Sequence, residues 1–174
     1  MSLFDDFSFG GVIEQEQIIP SSEIISQAVF SSKTTSVGVD VHYDSKDDPV
    51  SPRRGVEYGT TYQIGNKKTY GSSTNQNSTV QKIALDANFF MEPVDRQVLM
   101  VGLHGRQITS DNIELGDEFR LGGTNSLRGF RENQFVGSRI AWTNTEYRFL
   151  LARRSFVFGF FDTGYYFLPE KVAV

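Results

Sequence analysis

Apolar and polar side chains alternate with a period of two along most of the chain, as they do when the two faces of a β-strand meet different environments. In the run from Thr34 to Tyr43, for example, valines on one face alternate with polar residues on the other. The pattern predicts six consecutive strands between residues 34 and 168. They lie near residues 34–43, 56–64, 83–91, 99–106, 141–149 and 157–167.

The connections between these runs alternate in length. Short turns are predicted at residues 44–54, 92–96 and 151–154, and longer loops at residues 66–79 and 109–136. Short connections on one side and long ones on the other are typical of antiparallel barrels whose strands cross the outer membrane. Residues 1–33 are less informative, and we interpret them as poorly defined N-terminal strands, one near residues 7–14 and another near residues 24–30.

One set of faces is apolar, whereas the opposite set carries many polar and charged side chains. So many charged side chains on one face are too many for the packed core of a soluble protein but ordinary for the polar interior of a membrane barrel. The polar set comprises Glu57, Gln63, Asp86, Asn88, His104, Arg106, Asn144, Glu146, Arg148 and Asp162. The pattern therefore predicts an all-β protein, an antiparallel up-and-down transmembrane β-barrel of the outer-membrane type, with about six to eight of its strands in this chain. The alternative is a soluble sandwich or lipocalin-like β-protein with a binding or structural role, whose polar face meets solvent.

Composition narrows the function classes. Lys plus Arg number 17 and Asp plus Glu 21, a net charge of -4 that argues against nucleic acid as a partner. Cysteine is absent, which removes disulfides and thiolate metal sites. The start, MSLFDDF, lacks the basic and apolar segments of a signal peptide. We therefore expect either that the protein is not exported or that its natural N-terminus lies further upstream.

Catalytic motifs are not found in the sequence. Neither a G-x-S-x-G elbow nor an HExxH or P-loop pattern occurs, and the acidic stretch DSKDD lacks the residue order of a calcium loop. We expect no enzyme activity, no metal site and no cofactor.

The segment LGGTNSLRGF stands out within the longer loop at 109–136. Three of its glycines can take backbone angles closed to other residues, and its only long charged side chain is an arginine flanked by apolar neighbours. Such a loop is built to hold a shape and to present the guanidinium to a fixed acidic partner. The residues singled out are Gly122, Gly123, Leu127, Arg128, Gly129 and Phe130.

Three segments resemble the BamA-like outer-membrane assembly and translocation superfamily, also called the bacterial surface antigen family. The tetrad Leu127 to Phe130 is similar to the family's [IV]RG[FY] loop motif, with a conservative change at its first position. FFDTG contains the family's F-x-D-x-G strand motif, and DSKDDPVSPRRG resembles its periplasmic turn. The strand motif uses Phe160, Asp162 and Gly164, and the turn uses Asp44, Asp47, Pro52 and Gly55.

The resemblance implies that the loop at about residues 109–136, called the signature loop below, folds back into the barrel. There Arg128 would pair with Asp162 on the inner face of a strand, and Glu146 and Arg148 could join that network or form a simple cross-strand pair. The resemblance covers roughly residues 34–168 and implies that residues 34–174 are a partial C-terminal barrel domain. We expect the family's soluble N-terminal domains and further strands to lie outside this chain.

The resemblance also implies a function in the bacterial outer membrane. The protein would act in the insertion and assembly of outer-membrane proteins or in protein translocation. Its partners would be outer-membrane lipid, client outer-membrane or secreted proteins, and accessory assembly proteins or the remainder of the barrel. An insertase and a two-partner-secretion exporter share these motifs, so the choice between them stays open.

Overall fold

The computed structural model describes residues 6–19, 31–70, 76–152 and 154–169, and the strand expected near residues 24–30 lies outside them. The described residues form strands and connections. The strands are β1 (Phe7–Ile18), β2 (Ser31–Asp44), β3 (Gly55–Tyr70), β4 (Gln76–Val94), β5 (Gln97–Ser110), β6 (Phe119–Leu121), β7 (Phe135–Gly137), β8 (Arg139–Ala152) and β9 (Ser155–Phe167).

Seven strands form one antiparallel sheet in the order β1-β2-β3-β4-β5-β8-β9, and the short β6 and β7 pair with each other. Neighbours in the large sheet are neighbours in sequence, except that the signature loop with β6 and β7 is inserted between β5 and β8. Within the described residues the sheet is not closed. The expected all-β, up-and-down antiparallel architecture with a partial set of barrel strands is confirmed. In the described part of the chain, no helix has the length and apolar character needed to cross a membrane.

The two faces of the sheet differ as the alternation predicts. Large apolar side chains on the outer face are exposed, among them Val39 at 59% and Phe161 at 69%. The register aligns this face across strands, since Val39 lies opposite Tyr62 and Tyr62 opposite Ile83. The inner face is the one that the signature loop covers, and its polar side chains are buried or half-buried. The two faces thus separate an apolar exterior from a polar interior.

The expectation of a long loop at residues 66–79 is wrong. Strand β3 continues to Tyr70 and β4 begins at Gln76, so the connection is residues 71–75 and is shorter than the turn between β2 and β3. Strands β3 and β4 stay paired through this polar stretch, for example at Asn66 and Thr79. The reason is that the hydrogen bonds between strands are made by the backbone and do not depend on side-chain polarity. Side-chain polarity therefore marks where the strands leave the apolar zone, not where they end. The turn at 92–96 is likewise shorter than expected, because β4 runs to Val94.

The hydrophobic core lies between the signature loop and the inner face of β8. Leu121 and Leu127 from the loop pack on Ile140, each no more than 4% exposed. Phe119, Phe135 and Trp142 surround this cluster. The loop is therefore a packed part of the fold.

Candidate functional site: the anchored tip of the signature loop

The loop tip takes its shape from glycines and internal hydrogen bonds. Gly122, Gly123 and Gly129 have φ angles of 120°, 101° and 90°, a region that favours glycine. The Gly122 amide donates to Ser126 Oγ at 2.9 Å, and the Gly123 amide donates to the Leu127 carbonyl at 3.1 Å. These contacts make a compact turn that presents Leu127 and the residue after it to the inner face of the sheet.

Leu127 enters a space that a glycine on β9 leaves open. A Cβ added at Gly164 would lie 2.7 Å from Leu127 Cδ1 and 3.2 Å from Leu121 Cδ2. A larger residue at this position would therefore force the Leu127 side chain to move. On the other side of the tip, Phe130 is 48% exposed and contacts Phe135 edge-on at a ring separation of 5.2 Å.

Arg128 is held by two carboxylates on the inner face. Its backbone amide and its Nε both donate to Asp162 Oδ2, at 2.9 and 2.7 Å, and its Nη2 donates to Asp162 Oδ1 at 2.6 Å. Its Nη1 donates to Glu146 Oε1. The side chains of Arg128, Glu146 and Asp162 are 18%, 12% and 2% exposed. The forked geometry of the guanidinium matches this pair of acceptors, which an ammonium group could not do.

Neighbouring side chains complete the network. Arg148 donates through Nε to Glu146 Oε2 at 2.7 Å, so that carboxylate joins two arginines. The Phe160 ring lies 4.2 Å from the centre of the Arg128 guanidinium, within cation–π range. Asn144 Nδ2 donates to the Ser126 carbonyl at 2.6 Å, which ties β8 to the tip as well.

The three residues of the F-x-D-x-G motif lie on the inner face because they are two apart along β9. Each contacts the tip. Phe160 stacks on the guanidinium, Asp162 accepts its hydrogen bonds, and Gly164 makes room for Leu127. The motif is therefore a matched surface for the tip, spread over a single strand.

The turn between β2 and β3 is organised by its aspartates. Asp47 Oδ1 accepts hydrogen bonds from the Arg53 and Arg54 amides at 2.9 and 3.1 Å. Desolvation of the carboxyl would raise the pKa of Asp47, but these backbone hydrogen bonds outweigh it and lower the pKa below its ordinary 3.8. Asp44 Oδ1 accepts from the Lys46 amide at 3.0 Å. Gly55 closes the turn with a φ of 115°.

Pro52 is buried in the same turn. The structure thus gives all four of the turn residues a place in one compact connection.

One group in the described residues brings metal-ligand atoms together. The ligand atoms of His42, Asp44 and Glu57 lie within 4.8 Å of one another. The Lys46 ammonium lies 3.4 Å from Asp44 and 3.1 Å from Glu57, so a cationic side chain already neutralises these carboxylates. The arrangement is an ion-pair cluster at the base of the sheet.

A second inner-face network lies on β4, β5 and β8. Arg106 Nη2 contacts both oxygens of Asp86, at 2.9 and 2.8 Å, and His104 Nδ1 lies 2.7 Å from Asp86 Oδ1. The His104 ring stacks on Trp142 at 4.8 Å, which connects this network to the core beneath the loop. These contacts join three strands side by side on the inner face.

Sequence reasoning missed Lys67, Glu114 and Asp117. Lys67 was expected in a polar loop, yet it is a fully buried inner-face residue of β3 paired with carboxylates of the signature loop. Extending the inward parity of Gln63 along the strand would have pointed to it. Nothing in the local sequence marks its two partners.

The fold and site define a class of protein: an antiparallel sheet of outer-membrane type with an apolar outer face, and a loop locked onto its inner wall by an arginine. The model of the Omp85 superfamily domain matches residues 6–168, and the chain belongs to this superfamily. The resemblance to BamA-like proteins is thereby confirmed. Members of the superfamily are outer-membrane proteins that act in protein assembly or translocation. No curated protein matches the chain.

Proposed function

We propose that this protein acts in the bacterial outer membrane, inserting other outer-membrane proteins or translocating secreted ones. The observation that carries the proposal is the locked tip of the signature loop, in which Arg128 donates to both Asp162 and Glu146. The lock gives the inner wall a fixed internal loop, and both acids of the site are engaged by arginine side chains. Client outer-membrane or secreted proteins, outer-membrane lipid and accessory assembly proteins are the partners this function requires.

The arrangement suits a mechanical role better than a chemical one. Both carboxylates of the site are saturated by arginine donors, so neither is free to act as a general base. A partly buried ion pair adds little net stability, but it strongly disfavours any geometry in which one partner is lost. The lock therefore serves to hold the loop in one position while clients pass or insert.

The outer face supports a lipid environment. Val37, Tyr147, Phe161 and Tyr165 are each at least half exposed, and they point away from the loop. In water this exposed apolar face would promote aggregation, whereas in a bilayer it would contact lipid chains. The soluble or lipocalin-like alternative is not supported, because it needs the polar face outside.

The proposal is tested by complementation in the source bacterium, after depletion of the native protein. Arg128→Ala should lower the amount of client protein severalfold, compared at equal levels of variant and wild-type protein in the outer membrane. Arg131→Ala is the matched control, since this arginine is exposed in the same loop and its hydrogen bonds with Gln134 are made by its backbone. Folded clients in the outer membrane and secreted proteins in the medium are measured together.

The two measured pools separate the two client classes. Loss of folded outer-membrane clients supports insertion, and loss of secreted protein alone supports translocation. Wild-type levels of both pools after depletion of the protein itself would refute the proposed function.

A further inference from the structure

A further polar cluster joins the first part of the signature loop to the sheet, away from Arg128. The side chain of Lys67 on β3 is fully buried, and its Nζ lies 2.5 Å from Asp117 Oδ2 and 3.6 Å from Glu114 Oε2. Those two carboxylate side chains are only 5% and 9% exposed. Thr69, two residues further along the same face, donates from Oγ1 to Glu114 Oε1 at 3.3 Å. Both acids come from the first limb of the loop, which follows β5.

This limb is shaped to present its acids to β3. The Asp117 amide donates to the Glu114 carbonyl at 2.9 Å, and the Glu114 amide donates to Asp117 Oδ2 at 2.8 Å. The carboxylate that closes the turn is thus the one that receives the lysine. A Cβ added at Gly116 would lie 3.1 Å from Ile18 Cδ1, so the same turn also packs against β1.

The two clusters hold the loop to widely separated strands. Arg128 binds acids on β8 and β9, whereas Lys67 binds the limb to β3, and the sheet order places β4 and β5 between them. At about 4.8 Å between neighbouring strands, the distance from β3 to β9 is about 19 Å along the sheet. The loop therefore crosses the inner face and is attached to the sheet at its first limb and at its tip.

We propose that Lys67 is a second anchor of the signature loop, a positioning residue that holds the first limb independently of the Arg128 lock. The loop is thereby attached to the inner wall at two separate points. The inference rests on the proposed function for its biological use, but the anchor itself is a structural claim and is tested without any client.

Spin labels on the loop test the two anchors separately. The chain has no cysteine, so Leu115→Cys places a label on the limb and Thr124→Cys places one on the exposed part of the tip. Full-chain protein folded in lipid vesicles is examined by continuous-wave electron paramagnetic resonance. Lys67→Met should remove the immobile spectral component at position 115 and leave the spectrum at position 124 unchanged. Arg128→Met should do the reverse.

Controls distinguish the ion pair from a general loss of structure. Lys68→Met alters the neighbouring lysine, which is exposed on the other face, and should leave both labels immobile. Asp117→Asn keeps the size of the partner and should loosen the limb even if Lys67→Met fails to fold. A double variant that combines Lys67→Asp with Asp117→Lys swaps the two charges and should restore the immobile spectral component at position 115.

The proposal is overturned if position 115 stays immobile in Lys67→Met and Asp117→Asn, or if Lys68→Met loosens it equally. It is also overturned if the two labels always loosen together, since the anchors would then be one unit. Wild-type levels of both client pools after depletion of the protein would instead count against the proposed function alone, because the label experiment involves no client.

Discussion

Replacing Arg128 by methionine should be among the most costly single changes in the chain. It removes the side-chain donors to Asp162, whose side chain is 2% exposed, and the contact with Glu146, whose side chain is 12% exposed. Breaking a buried ion pair by removing one partner costs about 3–5 kcal/mol, because the remaining charge stays desolvated. This corresponds to about two to four orders of magnitude in the folding equilibrium. Glu146 keeps Arg148 as a partner, so most of the cost should come from Asp162.

A double-mutant cycle isolates that cost. Asp162→Asn should be destabilising by itself, but the double variant with Arg128→Met should cost clearly less than the sum of the singles, because no unpaired charge remains beside the loop. Unfolding by urea in lipid vesicles can be followed through Trp142. This residue is the only tryptophan of the chain and packs against the core formed with the loop.

The result that would refute this reasoning is specific. Arg131→Met removes an exposed arginine from the same loop and should change stability by less than about 0.5 kcal/mol. If Arg128→Met costs no more than this control, or if the cycle is additive, the buried charge is not what holds the loop.

Two further predictions concern packing and pH. Gly164→Val should displace Leu127 and shift the tryptophan emission to longer wavelength. Gly159→Val is the control, because it lies on the same strand and no atom is within 4 Å of an added Cβ, so the emission should not shift. Equal spectra for the two variants would contradict the packing argument. Because the pKa of Asp47 is lowered on folding, its contribution to stability is present above the ordinary value near 3.8 and is lost as pH falls through the lower folded value. Urea titrations from pH 7 to pH 2 should therefore show Asp47→Asn less stable than wild type at neutral pH and the difference closing in acid, and a constant difference would show that the carboxylate charge is not involved.

Much of the sheet could be predicted from the sequence, because each strand has one apolar and one polar face. The alternation of Val37 and Val39 with Ser36 specifies a strand and also which side faces outward, and the structure exposes the two valines and buries the serine. The contacts of the loop tip could be predicted for a different reason. The LRGF and F-x-D-x-G segments resemble family motifs, and the structure brings Arg128 and Asp162 together.

The parts that were missed depend on contacts distant in sequence. The polar stretch at residues 66–79 has the composition of a loop, yet cross-strand backbone pairing extends β3 and β4 through most of it. Lys67 lies 50 residues from Asp117, and neither has a local signal of pairing. The local composition of a segment indicates whether its side chains are in polar or apolar surroundings. Strand ends and long-range ion pairs depend instead on which distant segment of the chain lies next to it.

The strict division of inner and outer faces limits how this gene can change. An insertion or deletion of a single residue within β8 would exchange its faces beyond that point and turn Glu146 and Arg148 toward lipid. Each charge moved to the lipid face near the bilayer midplane costs up to about 2–4 kcal/mol, the most for arginine. Length variation among natural sequences of this protein should therefore accumulate in the connections between strands. Within strands, it should come in steps of two residues or be absorbed by a β-bulge.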